Sequence, residues 1–392
     1  MITHQTAAAA VMRRCDELGL VSEEQGRLTR TFASSAMVAA NRLVGGWMKE
    51  AGLEVRVDAA FNLLGRWPSA QPGAKTLLLG SHLDTVRDAG KYDGPLGVLA
   101  ALAAVQDLRA RKVTLPFHVE IAGFSDEEGV RYQTTYLGSR ALAGTLRPAD
   151  LARVEEKGIE RAKRPPGEFL GYAEVHIEQG PVLEQCGLAV GVVTGIAGQN
   201  RLRVEFIGEA GHAGTVPMAL RHDALAAAAE LVLAVEQCGV TATVGQITVL
   251  PGASNVIPGD ATLTLDVRDL DDARRRLAVR DLKTKAQAIA KRRQVKLVWT
   301  PIQETASVTC HPTLTKTMEV AASRHEPEVL MLPSGAGHDA VALSTICPVA
   351  MLFVRCKRGI SHNPAEAVKS TDVGKAIAVL AEFIRMLGVQ HA

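Results

Sequence analysis

The sequence has little of what marks a secreted, membrane or nucleic-acid-binding protein. Its 44 basic and 42 acidic residues leave a net charge of +2, which gives no electrostatic basis for binding nucleic acid or a membrane surface. The longest apolar run, near residues 97–105, is far too short to span a bilayer. The N-terminal residues lack a basic stretch followed by a sustained apolar core, so no secretory signal is predicted.

Cysteine is sparse and scattered along the chain. None of the six cysteines forms a CxxC pair, a pattern that predicts reduced, mostly buried thiols in a cytoplasmic protein. The sequence also lacks a GK[ST] phosphate loop, and PSGAG does not fit the GxSxG turn of serine hydrolases. Phosphate-loop and serine chemistry are therefore disfavoured.

The order of apolar patterns predicts two domains, as expected for a chain of 392 residues. In residues 1–198 and 309–392, strand patterns alternate with helical ones, which predicts an α/β domain with a mostly parallel sheet. In residues 199–308 the predicted order is βαββαβ, the split pattern of a ferredoxin-like unit. We therefore predict a discontinuous first domain with a compact second domain inserted in it.

Imidazoles and carboxylates gather where predicted strands of the first domain end, in GSHLD, FSDEEG and VHIE. Each motif alone would be ordinary, since HxD often forms a capped turn and paired glutamates often lie on a solvated face. Together they predict a metal site, because ligand sites form beyond the carboxyl ends of such strands and clustered carboxylates are favourable around a divalent cation. Imidazole with carboxylate suits zinc, manganese or cobalt, and five ligands could hold two metals if one carboxylate bridges them. The candidate ligands include His82, Asp93, one glutamate of the FSDEEG run, His176 and His362.

Glu127 and Glu128 are adjacent, so their side chains point in different directions. One of them can bind metal while the other acts as a general base. That base would take a proton from water and pass it to a leaving nitrogen.

These motifs and several others resemble the M20 family of metal-dependent amidohydrolases, in the branch with allantoate amidohydrolases and N-carbamoyl-L-amino acid hydrolases. The likeness covers roughly residues 30–388. QTTYLGSRALAG and MLFVRCKRGISHNPAE are most similar to the allantoate enzymes. The matching runs are GSHLDTV, KYDGPLGV, FSDEEGVRYQTTYLGSRALAG, VHIEQGPVLE, GIAGQNRLRV, GEAGHAGTVPM, ASNVIPG, SGAGHDA and GISHNPAE.

The resemblance implies a dinuclear centre with zinc or manganese. It implies that Asp93 bridges the two ions, that Glu127 is the general base and that Asp84 orients an imidazole ligand, His82, by fixing its tautomer. The implied ligands are His82 and His176 for one ion, and Glu128 and His362 for the other.

The resemblance also implies a substrate with a free carboxylate. A guanidinium binds that group with two parallel hydrogen bonds, which suits Arg268; the alternative is a surface arginine paired with nearby acids. His212, in GHAG, could stabilise the oxyanion of a tetrahedral intermediate or be an ordinary turn residue, and Asn255 could likewise be a turn residue. The inserted domain is implied to be a lid and dimerisation domain of a homodimer, from which His212 and Asn255 reach the partner's site. The implied substrate-binding residues are Gln179, Gln199, His212, Asn255, Arg268, Gly335 and Ala336.

The predicted reaction is therefore metal-dependent hydrolysis of a ureido (carbamoyl) C–N bond in a small carboxylate. Allantoate is the leading substrate, and its hydrolysis to ureidoglycine, ammonia and carbon dioxide would belong to purine catabolism. The nearest alternative is an N-carbamoyl-L-amino acid hydrolase or a β-ureidopropionase-like enzyme. More distant alternatives are a dinuclear aminopeptidase or dipeptidase, and a binding protein that keeps the fold without catalysis.

Overall fold

The computed structural model describes residues 4–391. The strands are β1 (Glu54–Val57), β2 (Leu63–Trp67), β3 (Thr76–His82), β4 (His118–Phe124), β5 (Phe169–Ile177), β6 (Val190–Ile196), β7 (Gly198–Ile207), β8 (Gly211–His212), β9 (Thr241–Leu250), β10 (Val256–Ile257), β11 (Asp260–Asp269), β12 (Lys296–Thr305), β13 (Val308–Thr309), β14 (Leu330–Ser334) and β15 (Val349–Val354). The α-helices are α1 (His4–Gly19), α2 (Ser35–Glu50), α3 (Pro95–Ala110), α4 (Leu137–Ala143), α5 (Pro148–Leu151), α6 (Val182–Cys186), α7 (Ala224–Glu236), α8 (Asp272–Arg293), α9 (Pro312–Ser323), α10 (Asp339–Leu343) and α11 (Ser370–Gln390).

The chain forms two compact units. One runs up to Thr194 and resumes at Thr309, and the other comprises Gly195–Val308. The predicted insertion covered residues 199–308.

A nine-stranded sheet organises the first unit, in the order β1-β2-β4-β3-β5-β15-β6-β13, with β14 paired to β6. The neighbours β4, β3, β5 and β15 are parallel, whereas β1–β2, β2–β4 and β15–β6 are antiparallel. Strands β1, β4, β3, β5 and β15 therefore point the same way. Every residue of β3 is buried, as expected for a parallel strand covered on both faces. The predicted α/β class with a large, mostly parallel sheet is confirmed.

Helix α3 follows the loop after β3 and packs against β3 and β5 of the sheet. It begins with Pro95, which suits the first helical turn. The preceding Gly94 has φ 81°, and a Cβ there would lie 2.5 Å from Nδ1 of His82, so this turn requires glycine. Helix α3 also contains the longest apolar run, yet within residues 4–391 no helix is both long and apolar enough to cross a membrane.

The second unit has an antiparallel sheet in the order β12-β7-β11-β9. Its elements follow the chain order β7, α7, β9, β11, α8, β12, with a short β8–β10 pairing in addition. Apolar side chains of α7, α8 and the sheet form a core within this unit. These elements reproduce the split βαββαβ order that the sequence pattern indicates.

Candidate metal centre

Three parallel strands deliver side chains to one edge of the large sheet. His82 is the last residue of β3, His176 is the last but one of β5, and Glu127 and Glu128 follow β4. Because β4, β3 and β5 are parallel neighbours, their carboxyl ends lie side by side. Asp93 is not at a strand end; it lies in the loop between β3 and α3.

Asp93 lies at the centre of the predicted ligands. Its Oδ1 is 3.1 Å from Nε2 of His176 and 3.9 Å from Nε2 of His82. Its Oδ2 is 3.1 Å from Nε2 of His362, which is also 3.1 Å from Oε1 of Glu128. Two groups of potential ligand atoms therefore share Asp93. These groups are His82–Asp93–His176 and Asp93–Glu128–His362.

The donor set fits a divalent cation. Nδ1 of His176 lies 2.9 Å from the carbonyl of Ile177, and Nδ1 of His82 lies 3.0 Å from the carbonyl of Asp84. Each Nδ1 donates its proton, so in a neutral ring the lone pair of Nε2 faces Oδ1 of Asp93. That oxygen is buried and accepts no hydrogen bond from the described residues. Acceptors that face one another in this way are stabilised by a cation between them.

The charged groups of the site shift one another's pKa values. Burial by itself would raise the pKa of Asp93, but His176 and His362, when they are protonated, hold it well below its usual range. Asp93 and Glu128 raise the pKa of His362 to about 10. Burial raises the pKa of Glu127 well above its usual range, and the Glu128 carboxylate adds to this shift.

Asp84 holds the turn that carries the two glutamates. Its Oδ1 accepts a hydrogen bond from the amide of Glu127 at 3.0 Å, and its Oδ2 accepts one from the amide of Glu128 at 3.2 Å. Its carboxylate lies 3.6 Å from Nδ1 of His82, so the closer contact to that ring is the main-chain carbonyl. The sequence analysis predicted only that Asp84 orients the His82 imidazole. It missed the two hydrogen bonds by which Asp84 holds the Glu127–Glu128 turn.

Glu127 is a buried neighbour of both ligand groups. It forms a third group of potential ligands with His82 and Glu128, whose ligand atoms lie within 4.8 Å of one another. Its main-chain carbonyl accepts a hydrogen bond from the amide of Tyr136 at 3.0 Å. The backbone of this turn is thus held from two sides.

Gln179 reaches the shared carboxylate. Its Nε2 donates to Oδ2 of Asp93 at 3.0 Å and to Oγ of Ser361 at 3.1 Å. Ser361 in turn donates to the same Asp93 oxygen at 2.8 Å. Sequence reasoning missed Ser361, although it directly precedes His362 in the GISHNPAE run.

The loop after β14 contains Gly335 and Ala336. The amide of Ala336 donates to Oγ of Ser334 at 3.1 Å, and that oxygen lies 2.7 Å from Nε2 of His338. The His338 ring packs edge-on against His176, with centroids 4.5 Å apart. The loop is therefore attached to a predicted ligand through His338, which sequence reasoning left unassigned.

The second unit places its four predicted substrate residues in two locations. Gln199 and Arg268 are register partners on β7 and β11, and both donate to Asp266, at 2.6 Å from Gln199 and at 2.9 and 3.0 Å from Arg268. His212 lies in β8, and the carbonyl of Asn255 accepts from the amide of Ala213 in the adjoining turn. Arg268 is thus paired with Asp266 on its own strand, and its role in binding a substrate carboxylate stays a prediction.

Comparison with known proteins gives consistent matches along the chain. Residues 78–386 match the profile of peptidase family M20/M25/M40. Allantoate deiminase of Arabidopsis thaliana is 41% identical, over 95% of this chain and 81% of that protein. N-carbamoyl-L-amino acid amidohydrolase of Geobacillus stearothermophilus is also 41% identical, over 94% of this chain and 95% of that protein. Among solved structures, an amidase of the hydantoinase/carbamoylase family from Burkholderia multivorans matches with a TM-score of 0.90 and 30% identity, over 97% of this chain and 98% of that one.

Proposed function

The chain belongs to peptidase family M20/M25/M40, and from this premise we propose that it hydrolyses the ureido C–N bond of allantoate. It is a hydrolase of C–N bonds in linear amides, as its similarity to amidohydrolases over nearly the whole chain establishes. The observation that carries the proposal is the pair of ligand groups that share Asp93, with buried Glu127 beside them. The products would be ureidoglycine, ammonia and carbon dioxide, and we propose that the reaction belongs to purine catabolism.

We propose that the site holds two divalent ions, zinc or manganese. His82 and His176 would hold one, Glu128 and His362 the other, and Asp93 would bridge them. When bound, the ions would polarise the substrate carbonyl and lower the pKa of water. The proposal is supported by the two groups of nitrogen and oxygen atoms around Asp93.

Residues of the chain would supply the proton transfer, the stabilisation of negative charge and the binding of the substrate carboxylate. The Glu127 carboxylate takes a proton from the attacking water and delivers it to the leaving nitrogen. His212 would stabilise negative charge on the carbonyl oxygen. Arg268 would bind the substrate carboxylate, with Gln199 beside it.

The remaining predicted pocket residues are assigned by position. Gln179 would contact the substrate from the Asp93 side, and Gly335 and Ala336 would line the pocket with main-chain atoms. Asn255 would bind the substrate near His212. Six free cysteines suit the reducing cytoplasm, where we place the protein.

We propose that residues 199–308 form a lid and dimerisation domain. Strand β9 lies at the edge of its sheet and exposes 47% of Ile247 and 56% of Leu250, while Leu233 of α7 is 58% exposed. An exposed apolar edge strand is a template for pairing with another chain. A second copy of this chain would cover it, and His212 and Asn255 would act in the partner's site.

A second candidate is N-carbamoyl-L-amino acid hydrolysis. It is favoured by the Geobacillus stearothermophilus relative, which is 41% identical, the same figure as for the allantoate deiminase of Arabidopsis thaliana. Both reactions cleave a ureido C–N bond in a carboxylate. They differ in the group that the pocket must accept beside the cleaved ureido group, which is a second ureido group in allantoate and an amino-acid side chain in the alternative.

The test is ammonia release by protein stripped with chelator and reloaded with manganese or zinc. Allantoate and several N-carbamoyl-L-amino acids are offered in parallel, with Glu127→Gln as the control for contaminating enzymes. Metal-dependent ammonia from allantoate, absent in the variant, supports the proposal. If only the N-carbamoyl-L-amino acids release ammonia, they replace allantoate as the proposed substrates. If neither class of compound releases ammonia although metal is bound, ureide hydrolysis is rejected.

A further inference from the structure

Glu366 is a buried carboxylate that the proposed reaction does not use. Only 5% of the residue is exposed. Its Oε1 accepts a hydrogen bond from the amide of Tyr92 at 2.7 Å and another from the amide of Asp93 at 3.0 Å. One side-chain oxygen thus joins the segment after β15 to the loop that carries the shared ligand.

Gly90 fits closely against this carboxylate. A Cβ on Gly90 would lie 2.4 Å from Cβ and 2.4 Å from Cδ of Glu366. Gly90 is not among the glycines with positive φ, so the backbone would accept alanine. The contact with Glu366 is therefore what excludes a larger residue.

The segment that carries Glu366 also holds the side chain of Asp93. Oγ of Ser361 donates to Oδ2 of Asp93 at 2.8 Å, and Nε2 of His362 lies 3.1 Å from the same oxygen. The segment 361–366 therefore fixes Asp93 twice, at its main-chain amide and at its carboxylate. Because both ligand groups include Asp93, a shift of this residue would disturb both.

We propose that Glu366 is a positioning residue for the metal centre, which acts by clasping the amides of Tyr92 and Asp93. Its carboxylate accepts hydrogen bonds from these two amides. Because His362 lies on the same segment as Glu366, these bonds also fix the position of His362 relative to the Asp93 carboxylate. Outer groups that orient ligands typically change metal affinity about 10- to 100-fold when removed. The inference rests on the proposed metal site and is independent of the substrate.

The test measures metal binding directly. Apoprotein is titrated with Mn²⁺ by calorimetry and with Zn²⁺ against a chromogenic chelator, and bound metal is counted by mass spectrometry. Glu366→Ala should lower affinity by about 10- to 100-fold. Gly90→Ala should have an effect of the same kind, because it displaces Glu366 without altering its chemistry. Glu366→Gln keeps the acceptor oxygen and should stay close to wild type.

Asp271→Ala is the matched control, because one oxygen of Asp271 likewise accepts two amides, those of Ala273 and Arg274 at the start of α8. It should lower the unfolding midpoint while leaving metal affinity unchanged. The proposed positioning role of Glu366 would be wrong if Glu366→Ala bound metal with wild-type affinity. It would also be wrong if Glu366→Gln and Glu366→Ala lost metal affinity equally. An equal loss of affinity in Asp271→Ala would overturn it as well. Failure of the wild type itself to bind metal would instead reject the proposed metal site.

Discussion

Replacing Gly94 with alanine should destabilise the protein far more than an ordinary glycine substitution. The residue has φ 81° and ψ −65°, and its new Cβ would lie 2.5 Å from Nδ1 and from Cε1 of His82. Backbone strain of this kind costs about 1–3 kcal/mol, and forcing extra volume into a packed core costs about 1–3 kcal/mol more. We therefore expect the free energy of unfolding to fall by about 2–6 kcal/mol, a large share of a typical total of about 5–15 kcal/mol.

Gly187→Ala provides the comparison for Gly94→Ala. Gly187 has φ 72°, and nothing lies within 4 Å of its added Cβ, so its cost should be limited to about 1–2 kcal/mol of backbone strain. Guanidinium denaturation of metal-free protein measures both losses, and a Zn²⁺ titration reports whether the His82 ring has moved. Equal losses in the two variants, with unchanged Zn²⁺ affinity in Gly94→Ala, would refute the contact with His82.

Three further perturbations test other parts of the molecule. Hydrogen bonds from Arg147 and Arg140 hold the pKa of Asp150 well below its usual range despite burial, so this group stabilises the fold above its unfolded pKa of about 4. Asp150→Asn should therefore lower the denaturation midpoint at pH 7, and its difference from wild type should shrink below about pH 4; a constant difference would contradict the pairing. Ile247→Lys, at the exposed edge strand, should yield monomers in analytical ultracentrifugation while metal binding persists, and a stable dimer would reject that interface. Arg268→Lys should raise KM for carboxylate substrates more than it lowers kcat, because lysine cannot form the two parallel bonds, and an unchanged KM would remove Arg268 from the pocket.

The sequence could predict the edge of the sheet where the site forms. Apolar runs that end in His82, in the FSDEEG acids and in His176 are the pattern of buried parallel strands, and parallel strands bring their ends together. That argument needs only the order of strands and helices. The order of strands and helices therefore predicts that side chains far apart in the sequence meet at one edge of the sheet, although their individual contacts are not known.

Contacts between loops could not be predicted in the same way. The bond from the amide of Asp93 to Glu366 joins two turns whose approach depends on the packing of several elements, and no periodicity encodes it. The pairing of Asp266 with Arg268 is different, because residues two apart on a strand share a face. The DVRD run therefore contained the signal for the Asp266–Arg268 ion pair.

The buried charges around β3 would link folding to the metal binding proposed above. Arg30 is fully buried near Asp84, but its Nε donates to the carbonyl of Leu83 and its Nη1 to those of Leu18 and Val21. Its donors are thus largely committed to the main chain and do not directly pair with the carboxylates of the site. Buried carboxylates without a close cation are costly, and in the metal-free protein the raised pKa values of Glu127 and His362 favour extra protons on these two groups. A metal ion that replaced those protons and bound only the folded site would add about 2.7 kcal/mol of stability at a concentration of 100 Kd. The arrangement that is unfavourable at this edge of the sheet without a cation would therefore let metal binding contribute to folding.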